Sequence, residues 1–193
     1  MLDCHTEEID AAELPNCRAA DMRLMLLRHA KAEKAESGMR DRDRRLNARG
    51  RADAARIAAH MVRHALLPDR VLISSAQRTR ETWECMAPAF SAAVPVDYQD
   101  RLYESGTESI LTAIRADPTA SALLVIGHNP GLYDTARLLL AHRGGEAHAL
   151  DDGLPTSGLV VIDFADDGWR KLAARSGRLE AFVTPRMVKP GKD

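Results

Sequence analysis

Cysteine is scarce in this 193-residue chain: Cys4, Cys17 and Cys85 are its only three. They have neither the density of a disulfide framework nor the spacing of a metal-ligand set, which fits a reducing, cytoplasmic setting and not export. An excess of either charge is also missing, with 27 basic against 28 acidic residues and a net charge of -1. No overall basic field exists to attract nucleic acid, so any anion site has to be local. No apolar run approaches the roughly 18 residues that a membrane span requires, so no membrane insertion is expected. The first 21 residues, "MLDCHTEEIDAAELPNCRAAD", lack the basic start and apolar centre of a signal peptide. They read as a poorly ordered extension, 1–21, before a single domain over 22–186 and a tail at 187–193. Internal repeats and low-complexity segments are absent as well.

What is present is an ordinary globular balance, 45 % hydrophobic and 28 % charged, in a length suited to one domain. The run Leu24-Met25-Leu26-Leu27 has no polar alternation, the pattern of a parallel strand buried on both faces. "RVLISS" and "SALLVIGH" repeat that pattern, and "TSGLVVIDF" and "GRLEAFVTP" read as two further strands. Between them lie helices. One is capped by Asn47, with Ala52, Ala55, Ala59 and Val62 at helical spacing; a second is capped by Ser75 and stops near Pro88. A third carries Ile110, Leu111 and Ile114, and a fourth is capped by Asn129, has Pro130 first and closes at Gly144. Alternating strands and helices predict an α/β fold in three layers, a mostly parallel central sheet with helices on both faces.

In such sheets ligands bind beyond the carboxyl ends of the strands. Arg28 and His29 follow the first strand, Arg78 the second and His128 the third buried strand, so four cationic or potentially cationic groups from distant segments converge there. Guanidinium forks match phosphate oxygens, and a neutral imidazole can accept a phosphoryl group. Arginines and a histidine around the equatorial oxygens can supply the charge stabilisation that magnesium supplies elsewhere, so neither metal nor cofactor is required. A metal site on His29 and His128 fits poorly, because the paired arginines repel a cation. Arg80 is expected to pair with Glu84 at helical spacing, and "RDRDRR" (40–45) reads as a solvated loop that rims the pocket. His5, His60, His64, His142 and His148 are assigned no chemistry.

These motifs carry a resemblance. "LLRHAKA", "SSAQRTRETW" and "VIGHNPGL" resemble, in order and spacing, the first histidine motif, the second arginine motif and the second histidine motif of the histidine phosphatase superfamily, whose fold is phosphoglycerate mutase-like. "RRLNARGRADA", "RLYES" and "LPTSGLVVIDF" further resemble its short, SixA-like branch of phosphohistidine phosphatases. The resemblance implies that His29 becomes phosphohistidine while Arg28, Arg78 and His128 bind the phosphoryl group, without a metal. Ala30 stands where many members have Gly, which predicts a tighter backbone. The interval from Arg78 to His128 is too short for the large insertion that carries the general acid in bigger members, and Glu104 is the nearest candidate. The expected substrate is phosphohistidine in a partner protein. The alternatives are a phosphatase of a small phosphorylated metabolite and a non-catalytic phosphate-binding module.

Overall fold

The structure is a computed structural model and describes residues 22–117, 119–141, 150–165 and 168–188. The extension expected over 1–21 and the end of the expected tail lie outside these residues. Six strands form one sheet: β1 (Met22–Arg28), β2 (Arg70–Ser74), β3 (Val96–Gln99), β4 (Ala122–Gly127), β5 (Leu159–Phe164) and β6 (Arg178–Val183). Their order is β3-β2-β4-β1-β5-β6. The β2/β3, β2/β4 and β1/β4 pairs are parallel, whereas β5 runs antiparallel to both β1 and β6. The expected mostly parallel sheet is therefore present, with an antiparallel flank.

Among the described residues, four α-helices cover its faces: α1 (Ala48–Arg63), α2 (Gln77–Met86), α3 (Thr107–Arg115) and α4 (Gly131–Leu139). Successive strand residues point to opposite faces, so a strand with helices above and below must be apolar throughout. Met25 and Leu27 pack with Ile57, Ala58 and Met61 of α1 and Trp83 and Met86 of α2. Leu24 and Leu26 pack with Ile110 and Ile114 of α3 and Leu132 and Ala136 of α4. Removing such a leucine side chain costs about 2–5 kcal/mol, so β1 is anchored on both sides immediately before its polar end. Val188, placed in the expected tail, is buried against the α1/α2 layer.

Local signals were met unevenly. Asn47 caps α1, its side chain accepting the Gly50 N–H at 2.8 Å. Gly50 itself is required, since a Cβ there would overlap the Lys31 carbonyl. Ser75 does not cap α2: the N-cap position falls on Ala76, and the Ser75 hydroxyl donates to Asp100 while accepting from Arg42 Nη2 at 2.9 Å. Asn129 does not cap α4, because its side-chain amide donates to Leu154 O at 2.8 Å and the helix begins after Pro130. That helix ends at Leu139, five residues before the expected Gly144, where Leu140 turns extended and bridges to Gly177. Arg80 does not pair with Glu84; its guanidinium lies 4.6 Å from the Tyr98 ring centroid and donates to Ser75 O at 3.1 Å.

Candidate active site

The parallel strands β1, β2 and β4 all end at one edge of the sheet, and antiparallel β5 begins there. His29, Arg78 and His128 are brought together at this edge. The His29 and His128 ring centroids lie 5.2 Å apart at 56°. Arg78, in the first turn of α2, donates from Nη2 to His128 Nδ1 at 3.2 Å. Arg28 joins them through a shared acceptor: its Nη1 and the side-chain amide of Asn129 both donate to Leu154 O, at 2.9 and 2.8 Å. The segment before β5 closes the floor. Ser157 adopts φ +57°, and its N–H lies 3.1 Å from Arg28 O and 3.2 Å from His29 O. A left-handed backbone at a non-glycine residue costs about 1–2 kcal/mol, so surrounding contacts must hold this turn in place. Ala30 is fully buried and donates its N–H to Thr82 Oγ1 at 3.0 Å, while that hydroxyl donates to Arg78 O at 2.6 Å. The segment that carries His29 and the helix that carries Arg78 are thus tied through one threonine.

Partners settle which ring nitrogens carry protons. His29 Nδ1 lies 2.8 Å from Ala30 O, an acceptor only, so Nδ1 is protonated and Nε2 keeps its lone pair. His128 Nδ1 receives the Arg78 donor, so its proton sits on Nε2 and is donated to Ser74 Oγ at 2.8 Å. Both rings are held neutral. Burial, followed by the Arg78, Arg28 and Arg44 charges, outweighs the Ala30 hydrogen bond and pushes the His29 pKa down to about 4. Burial, and then the neighbouring His29, Arg78 and Arg28, push that of His128 down to about 3 against the opposing charge of Asp41. A neutral imidazole with a free Nε2 is the form that can attack phosphorus.

Among the described residues, Arg28 Nε, Arg78 Nε and Ser157 Oγ are buried without a partner. All three can donate, which suits an oxyanion, whereas Asn129 Oδ1, also buried there without a partner, can only accept. No group of three or more His, Cys, Asp or Glu is placed to hold a metal among the described residues. The 40–45 loop lies at the rim. Asp41 O accepts Arg78 Nη1 at 2.7 Å, and the Asp41 carboxylate meets Arg78 Nη1 at 2.9 Å, Arg44 Nη1 at 3.0 Å and the Tyr103 hydroxyl at 3.1 Å. These contacts overcome its partial burial and hold the carboxyl below the ordinary range. Tyr103 stands edge-on to His128, 5.6 Å between ring centroids. Glu104, the expected acid, follows it at φ +46° with an exposed side chain. Its charge reaches the Tyr103 hydroxyl, whose pKa is raised by burial and then by Asp41 and Glu104. Ser74, Asp41, Tyr103, Leu154 and Ser157 were not found from the sequence; only the charged run at 40–45 and the neighbour of Glu104 hinted at two of them.

The fold and sequence resemble those of known proteins. The family model of the histidine phosphatase superfamily (branch 1) matches residues 24–109. An uncharacterized chloroplastic protein of Arabidopsis thaliana is 30 % identical over 177 residues, covering 84 % of this chain and 78 % of its own. A crystal structure from Agrobacterium tumefaciens, of a protein provisionally assigned as phosphohistidine phosphatase SixA, superposes with TM-score 0.73 at 36 % identity, over 85 % of this chain and 98 % of that one. Another with the same provisional assignment, from Nakamurella multipartitia, gives TM-score 0.73 at 30 % identity, over 85 % and 96 %.

Proposed function

Since the chain belongs to the histidine phosphatase superfamily, branch 1, we propose that it is a metal-independent phosphatase that works through phospho-His29 and acts on phosphohistidine in a protein. The observation that carries the substrate preference is the state of the carboxylate at the site. Asp41 is bound by two arginines and a phenol and kept ionised, so it has no proton to give a leaving group. Glu104 is exposed and makes no such contact with either histidine. A phosphoester needs its departing oxygen protonated, whereas the imidazole of phosphohistidine, protonated at its other nitrogen, departs as a neutral ring. A site without a poised acid therefore favours the phosphoramidate.

In the first step His29 Nε2 attacks phosphorus in line, the new N–P bond forms and the substrate N–P bond breaks, releasing neutral histidine. Arg28 and Arg78 spread charge over the equatorial oxygens, and a phosphoryl oxygen competes with Ser74 Oγ for the Nε2–H of His128. In the second step water attacks the phospho-His29 phosphorus, the Nε2–P bond breaks with its electron pair returning to Nε2, and inorganic phosphate leaves as dihydrogen phosphate with both water protons. His29 returns to its neutral form, with Nδ1–H still on Ala30 O.

The test is to mix the protein with a phosphorylated histidine phosphocarrier and, separately, with p-nitrophenyl phosphate, both in EDTA. Acid-labile phosphate is trapped on wild type and on His29→Ala. Turnover with a trapped phosphoenzyme that disappears in the variant is expected, with the phosphocarrier preferred. Preference for p-nitrophenyl phosphate would move the assignment to a small phosphorylated metabolite. Neither turnover nor trapped phosphate on folded protein would leave a binding module.

A further inference from the structure

A second cavity, of about 930 Å³, lies beside the phosphate site on the β6 side of the sheet. Two segments join them. Lys31, in its lining, follows His29 by two residues, and Gly153, Pro155 and Thr156, also in its lining, flank Leu154, whose carbonyl holds Arg28 and Asn129. Consecutive β6 residues from Leu179 to Phe182 all line it, although alternate residues face opposite sides of a sheet. The cavity therefore runs along the open edge of β6. That edge is bulged, since the register with β5 shifts between Val161 and Ile162. Bulges discourage the addition of another strand, so an occupant is recognised by side chains.

Those side chains are apolar and charged. Phe182, Pro155, Pro185 and the exposed Met187 supply the apolar surface. The formal charges are three of each sign, Lys31, Arg49 and Arg186 against Asp53, Asp152 and Glu180. Internal pairing unbalances them. Asp53 faces both Arg49 at 3.5 Å and, just outside the lining, Arg56 at 3.2 Å, which also donates to Pro185 O at 3.4 Å, so that trio stays a net cation. Glu180 is answered at 2.9 Å by Arg178, which lies outside the lining and also meets Asp163 at 3.3 Å, itself paired with Arg23 at 2.7 Å. Lys31 and Arg186 have no ion pair among the described residues, and Asp152 offsets one of them.

We propose that this cavity is a docking groove for an acidic, partly apolar segment of the phosphoprotein substrate, seated beside the residue whose phosphoryl group enters the His29 site. The assignment rests on the phosphohistidine reading above and deepens it. The groove, and not the phosphate site, then sets which phosphoprotein is accepted: the arginines at His29 recognise any phosphoryl group, while the cations and Phe182 recognise what surrounds it.

The test pairs binding with turnover. A fluorescein-labelled decapeptide of alternating Glu and Leu is titrated by anisotropy against wild type, His29→Ala and the double variant Lys31→Glu/Arg186→Glu, whose side chains are exposed and carry no packing. Wild type and His29→Ala should bind equally, and the double variant about tenfold or more weakly, because two attractions become repulsions. The ratio of kcat/KM on the phosphocarrier to that on p-nitrophenyl phosphate should fall by a similar factor through KM. No binding by wild type, or equal binding by the double variant, overturns the groove whatever the enzyme hydrolyses. An equal fall in both kcat/KM values overturns it too, since the cations would then draw in any anion. Peptide binding without turnover of the phosphocarrier leaves the groove standing and overturns only the substrate assignment.

Discussion

Acidification should unfold this protein through its two site histidines before most carboxylates titrate. In the native chain His29 is held at about 4 and His128 at about 3, whereas in the unfolded chain both revert to about 6.5. Both native values are depressed, so below pH 6.5 the unfolded chain binds protons that the native chain refuses. Stability is then fully present above pH 6.5 and is lost as pH falls toward 4. The slope is about 1.4 kcal/mol per pH unit for each histidine, which between pH 7 and pH 4.5 amounts to about 2.5 kcal/mol apiece. That is a large part of the 5–15 kcal/mol typical of a domain. Asp41 and Asp100, both lowered from 3.8, titrate below this window, while His60 is also lowered, by burial and then by His64 and Arg63, and adds a smaller slope of its own. Urea unfolding at pH 7, 5.5 and 4.5 measures the effect on wild type, His29→Gln, His128→Gln and the double variant. The intercepts will shift, because His128 loses its Ser74 and Arg78 partners, but the slope is the readout. Each single variant should remove roughly half of the wild-type pH dependence, and the double variant should retain only a residue attributable to His60. Parallel pH dependences in wild type and double variant would refute the claim that burial at the site keeps these rings neutral.

Two further substitutions probe how the site is built. Asp41→Asn should raise KM for the phosphocarrier about tenfold by loosening the hold on Arg78 and Tyr103 while leaving kcat within about threefold; a drop of 10² or more in kcat on p-nitrophenyl phosphate would instead make Asp41 the general acid. Gly50→Ala should destabilise the fold by about 1–3 kcal/mol, read by urea unfolding, because the new methyl overlaps the Lys31 carbonyl and forces α1 away from the segment that follows His29. An unchanged midpoint would show that this approach is not tight.

The parts of the architecture that were readable in the sequence are those where burial leaves a mark on many residues at once. An unbroken apolar run such as Leu24 to Leu27 arises only where helices cover both faces of a strand, so β1, β2 and β4 announced themselves, and with them the polar residues at their ends. Contacts decided by a single competition were not readable. Ser75 has the residue type of a cap, yet Arg42 and Asp100 from distant segments claim its hydroxyl; Asn129 has the same type, yet the Leu154 carbonyl claims it. Leu154 and Ser157 reach the site only because β5 runs antiparallel and so starts where β1 ends, a direction that an apolar run does not encode. Asp41 lay hidden in a charged run whose composition predicts a solvated loop, and only the fold reveals that one of its acids meets Arg78. The readable and the hidden parts depend on each other. The dry sheet that produces the apolar runs also desolvates His29 and His128 and makes their neutral forms the stable ones. The unreadable contacts, Ala30 O for one ring and Ser74 with Arg78 for the other, then decide which nitrogen of each ring is free. A sequence that kept the runs but lost those partners would still fold as this one does, and would have two neutral histidines with no defined nucleophilic nitrogen between them.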